Sequence, residues 1–171
     1  MQAMIENRLL WRWGYEAAEA GDHDRARAIH ERSIALGDAQ AWFSLGCLYD
    51  MGPKPDPAEA MRCYQRCWRA GFPIAANNIA ILYREAGDRR RMAQWFRRAA
   101  ESGQDHDAAL QLARCYLDGT GVRRSLPQAV RWLAVAASAP EDAITDDGRE
   151  EARRLLAAHR PHAVAVAGPL E

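Results

Sequence analysis

Between residues 41 and 67 small and apolar side chains recur at helical spacing. Ala41, Leu45, Gly46, Leu48 and Tyr49 fall at i, i+4, i+5, i+7 and i+8, the stripe of a packed helix. Met51-Gly-Pro-Lys-Pro55 breaks the pattern, and Asp56-Pro57-Ala58-Glu59 restarts it. Asp56 is placed to cap the new helix, Pro57 to occupy its first position and Glu59 to close a capping box. Ala60, Cys63, Tyr64 and Cys67 form a second stripe, which Gly71 ends. Two short amphipathic helices joined by a turn are predicted.

The same unit returns along the chain. Tyr15, Tyr49, Tyr83 and Tyr116 stand 34, 34 and 33 residues apart, and Gly37, Gly71 and Gly103 follow at 34 and 32. In the second half of each unit Ala26, Ala60, Met92 and Ala129 align, trailed by Ile29, Cys63, Trp95 and Trp132. Ser125-Leu-Pro-Gln128 predicts another capping box. A period in the low thirties means supersecondary units that bury their apolar faces only against neighbours. The predicted fold is all-α: a right-handed α-solenoid of about four helix-turn-helix repeats with a C-terminal capping helix. The expected units are 5–37, 38–71, 72–103 and 104–140, with a cap over 141–160 that Pro161 stops. A flexible tail is expected over 161–171.

Three fragments make the pattern resemble a known family. Ala41-x3-Leu45-Gly46-x2-Tyr49-x2-Gly52, Trp95-Phe-Arg-Arg-Ala-Ala-Glu-Ser-Gly103 and Tyr116-Leu-Asp-Gly-Thr-Gly-Val122 are similar to the Sel1-like repeat, a relative of the tetratricopeptide repeat. The resemblance covers roughly residues 7 to 159. It implies an adaptor or scaffold of the kind used in bacterial and eukaryotic signalling, secretion and protein turnover, whose family motif residues pack rather than catalyse. The lysines of tetratricopeptide carboxylate clamps are missing, so that clamp is not carried over.

Composition narrows the function classes. The 23 basic and 23 acidic side chains cancel, leaving no global field to steer nucleic acid or an anionic membrane. No apolar run reaches the length of a membrane span and no leader is seen at Met1, so a cytoplasmic protein is expected, with its four cysteines as free thiols. Cys63 and Cys67, four apart, with a histidine, would make a metal-binding or enzymatic alternative. Structural zinc takes four ligands, and the alignment of both cysteines with core positions favours packing. The runs Arg89-Arg90-Arg91, Arg97-Arg98, Arg123-Arg124 and Arg153-Arg154 would make an RNA-binding convex face, although interspersed acids favour a solvated surface.

The leading expectation is a non-enzymatic protein–protein interaction module that takes a protein or peptide partner in its concave groove, with no cofactor, metal, small-molecule substrate or membrane. First helices line the inner wall of such arrays. The partner-binding candidates flanking the packed stripes there are Phe43, Asn77, Asn78, Ile81, Arg84, Leu110, Gln111 and Arg114. Phe43, Ile81 and Leu110 are apolar anchors. The asparagines offer amide donors and acceptors, and the arginines offer forks for a carboxylate.

Overall fold

A computed structural model describes residues 2–103 and 105–166, and among them the side chains of 9–103, 105–140 and 142–159. The described residues form nine α-helices, one short 3₁₀ turn (Glu141–Ala143) and no strand. The chain divides by contact into two compact units, Met1–Ala75 and Ala76–Glu171.

The first unit holds α1 (Gln2–Glu19), α2 (His23–Ala35), α3 (Ala41–Met51) and α4 (Pro57–Arg69), each packed on the next in chain order. Asp56 caps α4 as its sequence implies: Oδ1 accepts from the amides of Ala58 (3.1 Å) and Glu59 (3.0 Å). Glu59 does not complete the box, because its carboxylate meets Arg62 one turn on. Two glycines let α1 and α3 approach their partners closely. A Cβ on Gly46 would lie 2.6 Å from the Tyr64 ring, and one on Gly14 would lie 2.5 Å from the His30 ring. Both rings are buried.

The second unit holds α5 (Ala75–Glu85, its first residue at the boundary), α6 (Arg89–Glu101), α7 (His106–Asp118), α8 (Leu126–Ala137) and α9 (Asp146–Val166). Here α6 packs on α7, α7 on α8, and α9 covers α8 and touches α7. Helix α9 runs through Pro161, contrary to the expected stop. One proline removes one amide and crowds one carbonyl, and the alanine-rich stretch around it is strongly helix-forming. Residues 161–166 of the expected tail are therefore helical, and 167–171 lie outside the described residues. Ser125 occupies the N-cap of α8 but its hydroxyl makes no capping bond. Pro127, two positions on, has removed one of the amides such a hydroxyl would accept from.

One backbone hydrogen bond recurs in every helix pair and fixes the register of the repeats. The N-cap amide of each second helix donates to a carbonyl near the end of the first: Asp22 to Ala17 (2.9 Å), Asp56 to Tyr49 (2.7 Å), Asp88 to Tyr83 (2.9 Å) and Ser125 to Tyr116 (2.9 Å). Ala17, not Tyr15, therefore holds the tyrosine slot of the first repeat. The alignment on Tyr15 is two residues out. Ala17 is 7% exposed, whereas Tyr15 is 55% exposed and points away from the core. On the second helices the alignment read from the sequence stands, and His30, Tyr64, Phe96 and Leu133 occupy equivalent buried slots, one per repeat.

Candidate functional site

In the first unit the displaced aromatic residues have a consequence. Trp11 and Tyr15 are one helical turn apart, so their side chains lie on one face of α1. Their rings stack at 6.0 Å between centroids and 15° between planes. Facing them along α3 are Phe43, Ser44, Cys47 and Met51, the wall residues that flank the packed stripe of the second repeat. Between the two helices lies a cleft of about 530 Å³, with His30 among its lining and Ile74 at its edge. Its mouth is apolar: Trp11 is 54% exposed and Met51 74% exposed. Phe43 is held in place by the Tyr64 ring, 5.8 Å away, and the Tyr64 hydroxyl donates to Asp50 Oδ2 at 3.1 Å. Burial pushes the His30 imidazole below the usual histidine pKa, against the opposing pull of Asp38, so the ring is neutral at pH 7.

The other predicted contact residues all belong to the second unit. Arg84, Gln111 and Arg114 come together around a shallow depression of about 370 Å³ with Met92 and Phe96 in its lining. Asn77, Asn78 and Ile81, half-buried on α5, do not line it. The buried Oδ1 of Asn77 has no hydrogen-bond partner among the described residues. Two of the predicted contacts need correction. Leu110 is only 3% exposed and belongs to the core of α7, so it is no anchor for a partner. Arg114 already spends its fork inside the chain. Its Nε donates to Glu151 Oε1 (3.0 Å), its Nη2 to Glu151 Oε2 and its Nη1 to Gln111 Oε1 (3.3 Å), tying α7 to α9.

The rival chemistries find little geometry. Among the described residues no three His, Cys, Asp or Glu side chains come together as a metal site. Cys63 and Cys67 are buried, and burial pushes both thiols up to about 11, with Glu59 adding to the effect at Cys63. A thiol held that high is a poor nucleophile and a poor metal ligand at neutral pH. Several arginines of the supposed nucleic-acid face sit on aromatic rings. Arg91 lies 4.9 Å from the centre of Tyr83 and Arg98 4.4 Å from that of Trp95. Arg97 bonds the Tyr116 hydroxyl at 2.7 Å. No helix among the described residues is long and apolar enough to cross a membrane.

Three stretches of the chain match a known repeat family. The Sel1 repeat matches residues 39–66, 88–104 and 106–140. The chain carries Sel1 repeats over these residues. A protective antigen of uropathogenic Escherichia coli strains, which displays an SLR fold, superposes with a TM-score of 0.66 at 26% identity, over 77% of this chain and 30% of that one. A Sel1 repeat protein from Oxalobacter formigenes superposes with a TM-score of 0.64 at 28% identity, over 74% of this chain and 54% of that one. The chain thus spans about a third of the first structure and about half of the second. No curated protein matches it. Sel1 repeat proteins are generally protein-interaction modules.

The cleft residues Trp11, Tyr15, Glu19 and Ile74 are missing from the sequence-based candidates. A usable signal was present. Gly21-Asp22 aligns with Gly87-Asp88, and anchoring the first repeat on that pair turns Trp11 and Tyr15 out of the core.

Proposed function

We propose that this Sel1 repeat chain is a non-enzymatic interaction module that seats a segment of a partner protein in the α1–α3 cleft of its first unit. The cleft itself carries the reading. A stacked Trp–Tyr pair, a phenylalanine and an exposed methionine border one concavity, and contiguous exposed apolar surface of this kind marks interaction sites. Aromatic side chains are also the usual source of binding energy at protein interfaces. In the second unit Asn77, Asn78, Ile81, Arg84 and Gln111 remain candidate contacts. Leu110 leaves the set, and so does Arg114 as a free cation.

The test is titration calorimetry with a partner co-purified from the native host. Trp11→Ala and Met51→Glu should each weaken binding at least tenfold, in keeping with about 1.4 kcal/mol or more per apolar anchor residue lost. Arg90→Ala, on an exposed side chain of α6, should leave it unchanged. Binding lost in Arg90→Ala and kept in both cleft variants would overturn the reading.

A further inference from the structure

The charge around the cleft specifies its occupant further. We infer that the first-unit cleft selects a basic–apolar segment, in which an apolar side chain enters between α1 and α3 and an adjacent arginine or lysine reaches Glu19. The inference rests on the cleft being the binding site, and it adds the chemistry of what binds.

Trp11, Tyr15 and Glu19 fall at i, i+4 and i+8 of α1, so one face of the helix carries two rings and then a carboxylate. Glu19 lines the cleft, is exposed, and has no ion-pair partner among the described residues. Its neighbour Glu16 is different, since it faces Arg12 at 3.6 Å. Among the described residues no lysine or arginine lines the cleft, and the lining side chains able to take up a positive charge are His23 and His30. An anionic side chain entering there would meet the Glu19 carboxylate, with no lysine or arginine of the described lining to offset it. A cationic one gains twice. Its charge faces the carboxylate, and its stem or guanidinium plane lies along the Tyr15 and Trp11 rings, whose faces attract cations. The walls fix the second half of the preference. Phe43, Leu48 and Met51 offer no charge and reward an apolar side chain.

The experiment is selection of the purified full chain against a random peptide display library, followed by fluorescence polarisation with a labelled peptide synthesised from the winning sequence. Enrichment of an apolar residue beside Arg or Lys is the expected result. Replacing that basic residue by Glu should weaken binding more than Glu19→Gln does, because attraction becomes repulsion. Glu19→Gln should weaken it roughly two- to fivefold, the range of an exposed ion pair, and Glu19→Lys should invert the preference toward acidic peptides. Selected peptides that Met51→Glu releases but that show no basic bias overturn this inference and leave the cleft as the binding site. Peptides that bind equally to wild type and Met51→Glu overturn both readings.

Discussion

The turn between α7 and α8 predicts a sharp difference between two glycines that look alike in sequence. Gly119 and Gly121 both have positive φ, 75° and 71°. An alanine in that region costs about 1–2 kcal/mol by steric conflict with its own backbone. Against this, alanine restricts the unfolded chain and recovers about 0.4–1 kcal/mol. Gly119→Ala should therefore lose no more than about 1.6 kcal/mol, because the nearest atom to its new Cβ is 3.5 Å away on Arg124. Gly121 lies on the start of α6. Its Cβ would stand 2.6 Å from the carbonyl carbon of Arg89, closer still to the oxygen, and 3.1 Å from Ala93 Cβ. Backbone cannot swing away as a side-chain tip can, so a further 1–3 kcal/mol is expected, roughly the cost of overpacking. Urea denaturation followed by far-ultraviolet circular dichroism gives both values. Equal losses in the two variants would refute the claim that the Gly-x-Gly-Val turn seats the fourth repeat on the third.

Other consequences are equally open to measurement. Tyr64→Ala and Phe96→Ala, both in the buried slot, should each lose about 3–5 kcal/mol in denaturant titrations, whereas Tyr15→Ala should stay within about 0.5 kcal/mol. The folded-state pKa of His30 is depressed, so its contribution to stability is complete above the ordinary histidine value of 6.5 and is lost as pH falls below it. His30→Phe, which installs the residue found in the same slot at Phe96, should flatten the melting temperature between neutral and mildly acid pH. Arg114→Ala should loosen α9 by about 1 kcal/mol, the upper end for a partly exposed ion pair with bidentate geometry, and a double-mutant cycle with Glu151→Ala isolates that coupling. In native protein at pH 8 a thiol reagent should label half-buried Cys47 first, with Cys63, Cys67 and Cys115 reacting only on unfolding.

The architecture was legible because packing is periodic. The slots held by Ala60, Cys63 and Cys67, and by Met92 and Ala129, are read from spacing alone, and all are buried. The first repeat misled because Ala17 stands where later repeats have tyrosine. A nearby tyrosine then captured the alignment. Leu110 was misread for another reason. Helix α7 is covered by both α8 and α9, so its apolar face is wider than a single stripe, and spacing within one repeat says nothing about a capping helix. The use of Arg114 was hidden likewise, since Glu151 lies 37 residues away.

The amide-to-carbonyl bond that closes each helix pair joins residues five, seven, five and nine positions apart in the four repeats. The same joint is therefore reached through connections of different length. Lengthening a flexible connection from five residues to nine costs only about 0.5 kcal/mol in closure entropy. These turns are therefore the places where the chain can accept new residues. An inserted peptide, epitope or small domain between Met51 and Asp56, or between Asp118 and Ser125 if Gly121 is kept, should leave the helices on either side undisturbed. The turns of this array are its natural points of diversification and of engineering.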